Sequence, residues 1–251
     1  MPSIDLNCDL GESFGAYTIG MDAEVLPFVS SANIACGFHA GDPSVMQKSV
    51  LLCKKCGVQV GAHPGLPDLQ GFGRRKMAIA PAEAEADVMY QVGALKAFCD
   101  AAGVPLHHVK PHGALYNMAA KDSELAAAIC RAVKAAAPEA MLLALSGSEM
   151  IKAAQALGLR VCSEVFADRG YQPDGTLVPR GKPGAIIENE EEAIARVLQM
   201  AKQGTVCAVD GSAVALQADS VCVHGDGPKA LAFVRKISAA LPAAGVEITA
   251  Q

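Results

Sequence analysis

Short apolar runs alternate with helical stretches from one end of this chain to the other, and this alternation constrains the fold more than any other feature. The runs fall at 4–8, 32–36, 58–62, 107–110, 141–145, 160–166 and 220–224. Each is four to seven residues long, the length of a buried strand. Between them the helix signals are clear. Asp42-Pro43 opens a stretch to about Cys56, Pro81 opens one to about Ala102 closed by Gly103, and Ser123 starts another to about Ala136. Ser146 with Glu149 and Asn189 with Glu192 have capping-box spacing, and Asp226-Gly227-Pro228 opens a last helix to about Leu241. Strand followed by helix, repeated, demands a parallel sheet with crossover helices. Seven such strands favour an α/β barrel over an open doubly wound sheet. Residues 206–209 and 214–216, joined across Asp210-Gly211, read as an extra hairpin.

The chain has 251 residues, 51% of them hydrophobic and 19% charged, which suits one barrel domain spanning 1–251. A net charge of −5 argues against a nucleic-acid partner. No apolar run approaches a membrane span, and the first residues carry no secretory leader, so the expected compartment is the cytoplasm. Nine cysteines fit that reading. Cys36, Cys99, Cys130, Cys162, Cys207 and Cys222 sit in apolar surroundings, where thiols act as small hydrophobes. Cys53-Lys54-Lys55-Cys56 lacks a second pair at zinc spacing.

A parallel barrel gathers the ends of its strands on one face, and four of the six histidines sit at such ends. They are His39 in Phe38-His39-Ala40-Gly41, His63 in Ala62-His63-Pro64-Gly65, His112 in Pro111-His112-Gly113 and His224 in Val223-His224-Gly225-Asp226. On the first strand Asp5, Asn7 and Asp9 share one side, which in a barrel can face the lumen. Asp9 lies nearest the mouth; Glu12 reads as a loop residue. Asn33, His39 and Asp42 surround the end of the second strand, although Asp42 before Pro43 is also an ideal helix cap. His108 and Lys110 share a face, with His112 beyond. A lysine there suits a phosphate, a carboxylate or developing negative charge, or acts as a base if desolvated. Arg169, beyond Glu164, suits a substrate carboxylate or an ion pair with Glu164 or Asp168.

Two long polar loops, 65–80 with Arg74 and Arg75 and 168–184 with Arg169, Arg180 and Lys182, would leave the same face. No Gly-x-Gly-x-x-Gly follows a strand, and residues 175–182 miss the P-loop spacing by one. A nucleotide would need an unconventional site, with Arg74, Arg75 and Lys110 as phosphate contacts. The residues alone indicate a barrel enzyme using His, Asp and Lys for polar chemistry on a polar or anionic small molecule, either metal-assisted hydrolysis or phosphoryl transfer.

Several blocks carry a specific resemblance. Asp5-Leu6-Asn7-Cys8-Asp9-Leu10-Gly11-Glu12, Asn33-Ile34-Ala35-Cys36-Gly37-Phe38-His39-Ala40-Gly41-Asp42, 61–65, 71–75, 109–117, 164–171 and 222–226 resemble, in order, the LamB/YcsF family. The resemblance implies an irregular seven-stranded (β/α) barrel of the glycoside hydrolase/deacetylase type. It also implies the A subunit of an ATP-dependent 5-oxoprolinase, which opens 5-oxoproline to L-glutamate together with subunits B and C. On that reading Asp9, His39, Lys110, His112 and His224 are catalytic, and Asn7, Asn33 and Arg169 bind substrate. Arg74, Arg75 and Lys110 face phosphate, Mg²⁺ arrives with ATP, and Asp9, His39 and His63 form a polar or divalent-metal cluster. Two alternatives remain open at this stage: a stand-alone metal-dependent amide or carbohydrate hydrolase, and a non-catalytic subunit that presents substrate.

Overall fold

A computed structural model describes residues 2–223 and 230–251. Seven parallel strands close into a barrel in the order β1 (Ser3–Leu10), β2 (Ser31–Ala35), β3 (Gln59–His63), β4 (Leu106–Val109), β5 (Met141–Leu145), β6 (Val161–Phe166) and β9 (Ser220–Val223), with β9 pairing back onto β1. The helices α2 (Pro43–Cys56), α3 (Pro81–Ala102), α4 (Gly113–Ala119), α5 (Ser123–Ala136), α6 (Glu149–Ala156) and α7 (Glu190–Gln203) lie in the crossovers. A one-turn α1 (Asp22–Val25) precedes β2, and α8 (Ala230–Ala243) follows β9. All seven expected strands are present. The expected hairpin is also present, as β7 (Thr205–Cys207) antiparallel to β8 (Ala213–Ala215). The sequence pattern missed β10 (Glu247–Ile248), which adds in parallel to the start of β1. Two residues are too few to show a period.

Local signals explain most boundaries. Asp42 Oδ1 accepts from Val45 N at 2.9 Å and caps α2, while its Oδ2 accepts from Gly15 N at 2.8 Å, so both oxygens serve structure. Asn189 caps α7 by accepting from Glu192 N. The expected capping box at Ser146 does not form: the cap residue of α6 is Ser148, and Ser146 Oγ instead accepts from Gln217 N. Glycines at 57, 103 and 204 end α2, α3 and α7 in the left-handed conformation. Cys207, expected to be buried, is exposed, because β7 belongs to the outer hairpin and not to the barrel. Among the described residues no helix is long and apolar enough to cross a membrane.

Closing the barrel buries both faces of every strand, and β1 shows the consequence. Ile4, Leu6, Cys8 and Leu10 join the main core, which is shared with residues of the helices. Asp5, Asn7 and Asp9 alternate with them and point inward, where their side chains bond across the lumen. Barrel interiors are usually filled by branched apolar side chains. Here Met141, Leu143 and Cys162 on β5 and β6 form a small apolar cluster apart from the main core. Polar side chains fill much of the rest.

Candidate active site in the barrel mouth

The polar lumen is layered from floor to mouth. At the floor, Asp5 accepts hydrogen bonds from Ser30, Ser31 and Ser220; burial still raises its carboxyl above the ordinary range, although the three hydroxyls lower it. One layer up, Asn7 Nδ2 donates to Glu164 Oε1 at 3.0 Å and to Ser220 Oγ at 2.7 Å. Asn33 Nδ2 donates to Asn7 Oδ1 at 2.7 Å and to Asp9 Oδ1 at 2.8 Å, while Asn33 Oδ1 accepts from His108 Nε2 at 2.7 Å. His108 on β4 reaches Asn33 on β2 only because Gly61, on the strand between, has no side chain. A Cβ there would lie 2.0 Å from His108 Nε2.

Above this layer Lys110 forms the hub. Its ammonium lies 2.7 Å from Glu164 Oε1 and 3.1 Å from Asp9 Oδ1, and it donates to Asn7 Oδ1 at 3.2 Å. Tyr116 donates to the other Glu164 oxygen at 2.7 Å. Burial works against the charged lysine, but Asp9, Cys222 and Glu164 together outweigh it and hold the ammonium well above its usual range. Lys110 is therefore a fixed cation and not the desolvated base that the sequence left open. Burial and the Glu164 carboxylate push the Tyr116 hydroxyl well up, so it remains a donor.

The mouth holds the histidines. His63 Nδ1 bonds the Lys110 carbonyl at 2.7 Å, and His63 Nε2 lies 2.9 Å from His112 Nδ1 and 3.3 Å from Asp9 Oδ2. His112 Nε2 bonds the Phe72 carbonyl at 2.8 Å. His39 stacks on His112, rings 3.7 Å apart and parallel within 1°, with Nε2 4.0 Å from Glu12 Oε1. Burial, then the neighbouring imidazoles, keeps His39 and His112 well below the ordinary histidine range. Phe72 closes the cluster edge-on, and its backbone sits at φ 54°, a strained value for a non-glycine residue. Glu12, His39, His63 and His112 each present a ligand atom, all within 4.8 Å of one another. Asp9 borders the cluster: its Oδ1 serves Lys110 and Asn33, while its Oδ2 lies 3.3 Å from His63 Nε2.

A cleft of about 390 Å³ opens beside the mouth, lined by Arg74, Lys76, Lys121, Arg169 and Arg180 without a carboxylate among the described residues. It shares Arg74, Arg169 and Arg180 with the smaller pocket over Asp9, His63, Lys110 and His112. Arg169 does not pair with Glu164, which Lys110 holds. Its Nε donates to the Ala185 carbonyl at 3.0 Å and one terminal nitrogen to the Val178 carbonyl at 2.6 Å. Burial lowers its guanidinium to about 10. Arg75 lies away from the cleft, bonded through Nε to Asp68 at 2.9 Å, beside a separate pocket. His224 and Asp226 lie outside the described residues. The structure thus unites Asn7, Asp9, Asn33, His39, His63, Lys110 and His112, sets Arg74 and Arg169 at the rim, and leaves Arg75 out. Sequence reasoning gave no role to Tyr116 and left Glu12 in a loop. Tyr116 lies one turn into α4 from His112, a spacing that places both on the mouth side.

Fold and lumen together define a (β/α) barrel of the glycoside hydrolase/deacetylase type, polar from floor to mouth, with its histidine cluster at the C-terminal strand ends. The LamB/YcsF family model matches residues 4–251, and the chain belongs to that family. It is 59% identical over 248 residues to a protein of Clostridium beijerinckii named as the A subunit of 5-oxoprolinase, covering 99% of this chain and 97% of that one. The crystal structure of a lactam utilization protein from Thermus thermophilus superposes with a TM-score of 0.93 at 52% identity, covering 99% of this chain and all of that one. A family 4 carbohydrate esterase from Streptomyces lividans, at a TM-score of 0.50 and 10% identity over 98% of this chain and 91% of that one, shares the fold alone.

Proposed function

We propose that this chain is the A subunit of an ATP-dependent 5-oxoprolinase, opening the lactam of 5-oxo-L-proline to L-glutamate in the cytoplasm together with subunits B and C. The observation that carries the reading is its 59% identity, over nearly its whole length, to a protein bearing that name. The site is chemically compatible. A five-membered lactam is unreactive, and transfer of the γ-phosphoryl group to its oxygen makes the carbonyl carbon electrophilic. The new O–P bond forms as the bond to ADP breaks, and the ring N–H proton passes to a base. Water then adds to that carbon, the C–N bond breaks to give an acyl phosphate, and a second water releases phosphate and glutamate.

Catalysis of phosphoryl transfer is mostly positioning and charge neutralisation. In this reading Arg74 and Arg180 at the basic cleft face the phosphates, and Mg²⁺ accompanies ATP. Arg169 at the rim faces the substrate carboxylate. Lys110 supplies fixed positive charge under the reacting oxygen, oriented by Asp9, Asn7 and Glu164. His63 and His112 border the pocket over Lys110, one ring nitrogen of each being tied to a backbone carbonyl. Asn33 orients Asp9.

The test is glutamate release from 5-oxoproline with Mg-ATP, with and without subunits B and C, while ADP is followed in parallel. Turnover only with all three supports the reading, and ADP formation by this chain alone would put phosphoryl transfer here. Absence of turnover with active partners refutes it. Amide or carbohydrate hydrolysis without ATP, abolished by a chelator, would instead favour the metal-dependent hydrolase that the histidine cluster makes the second reading.

A further inference from the structure

We infer that Glu12, His39, His63 and His112 form a binding site for one divalent transition-metal ion of the imidazole-preferring class, separate from the Mg²⁺ that accompanies a nucleotide. The inference stands apart from the oxoprolinase reading, because the ion's binding is measured without turnover.

The argument starts from hydrogen-bond donors. A carbonyl oxygen only accepts, so the ring nitrogens facing the Lys110 and Phe72 carbonyls at 2.7 and 2.8 Å carry the protons of His63 and His112. In neutral rings the remaining nitrogens, His63 Nε2 and His112 Nδ1, then both bear lone pairs, yet they face each other at 2.9 Å. Two lone pairs at that distance repel unless a cation lies between or beside them. The anchoring is also that of metal-ligating histidines, which donate their other N–H to a carbonyl or carboxylate and so fix the tautomer.

A shared proton would answer the His63–His112 contact alone. It would not answer His39, which is 1% exposed and whose ring nitrogens have no hydrogen-bond partner among the described residues. A charge on that pair would also press against the His39 ring, stacked on His112 at 3.7 Å in a mouth closed to water. A metal ion takes one nitrogen lone pair from each of the three rings, and Glu12 adds the carboxylate. Three imidazoles and one carboxylate select zinc-like ions over Mg²⁺, which prefers oxygen ligands. Ligands at 2.0–2.2 Å in a tetrahedron stand about 3.4 Å apart. The 2.9 Å contact therefore has to open slightly and His39 has to turn out of its parallel stack.

The experiment dialyses the full chain against a chelator and titrates it with Co²⁺, reading the visible ligand-field bands, then with Zn²⁺ and with excess Mg²⁺. The expected result is one equivalent of Co²⁺ with tetrahedral-type intensity, displaced by Zn²⁺ and not by Mg²⁺. His39→Ala and His63→Ala should each weaken Co²⁺ binding at least about tenfold, the lower end of what losing even a supporting group costs a metal site. His39→Ala removes no hydrogen bond among the described residues and is the variant expected to fold, which circular dichroism verifies. Cys56→Ser/Cys207→Ser should leave the bands unchanged, as these exposed thiols are the competing ligands. Lack of stoichiometric binding, binding indifferent to both histidine changes, or bands lost with the cysteines would each overturn the site. A proton shared between His63 and His112 in nitrogen NMR of protein that fails to bind Co²⁺ would identify the occupant as a proton instead.

Discussion

Lys110 and Glu164 meet across the lumen from strands that are not neighbours: β5 lies between β4, which Lys110 follows, and β6, which carries Glu164. Their 2.7 Å ion pair is buried, with side-chain exposures of 3% and 0%, and Asp9 closes it from the opposite side at 3.1 Å. A buried pair of this kind contributes little net stability when intact, yet removal of one member leaves a desolvated charge. Lys110→Met should therefore abolish turnover and also lower stability by about 3–5 kcal/mol. Lys110→Met/Glu164→Gln should recover part of the stability but none of the turnover. Urea unfolding of the two single variants and the double variant measures the coupling, and additivity of the singles would show that the pair is not the hub described.

Tyr116 donates to the Glu164 oxygen that Lys110 leaves unused. Tyr116→Phe deletes only that donor, and a hydrogen bond to a buried charge is worth about 1.5–3 kcal/mol. A stability loss of that size, read by chemical denaturation with an unchanged m-value, is the expected outcome.

Gly61→Ala places a methyl group where His108 passes on its way to Asn33, 2.0 Å from its Nε2. Overpacking of this kind typically costs about 1–3 kcal/mol, and here it also breaks a buried hydrogen bond. Thermal unfolding should show a clear drop, whereas Gly93→Ala, where an added Cβ meets nothing within 4 Å, should be neutral or slightly stabilising.

Arg169→Ala removes the donors that two loop carbonyls, of Val178 and Ala185, use inside the protein. The loop between β6 and α7 should loosen at a cost of about 1–3 kcal/mol. Faster amide exchange over 178–187 would report it; unchanged exchange would show that Arg169 does not hold the loop.

Burial holds His39, His108 and His112 well below the ordinary histidine range. Below about pH 6.5 the unfolded chain takes up protons that these folded rings refuse, so the unfolded state binds more protons. Stability should then fall as pH is lowered from 7 to 5, by up to about 1.4 kcal/mol per pH unit for each such ring. Chemical denaturation of chelator-treated protein at several pH values checks the slope, and a flat profile would contradict the burial argument.

The alternation of apolar runs and capped helices was enough to establish seven parallel strands, their crossovers and the outer hairpin, because period and caps are local properties of the chain. The alternation of Asp5, Asn7 and Asp9 with Ile4, Leu6 and Cys8 was equally legible, since a pleated strand sends successive side chains to opposite faces. Which groups met there was not. Lys110 could have been a base, or a partner for phosphate, carboxylate or developing negative charge, until closure of the barrel set Glu164, Asp9 and Asn7 around it. Glu12 lies in a loop as the sequence indicates, but what it and Arg75 touch was not legible, because contact across a barrel depends on stagger between strands and on the path of long loops, neither of which leaves a period in the sequence. Asp68 holds Arg75 away, and Glu12 turns toward His39. The amino-acid sequence by itself determined the barrel and the inventory of polar side chains at its mouth. Only the tertiary structure decided their partners, because hydrogen bonds and charges in a desolvated lumen act over a few ångströms between residues far apart in the chain.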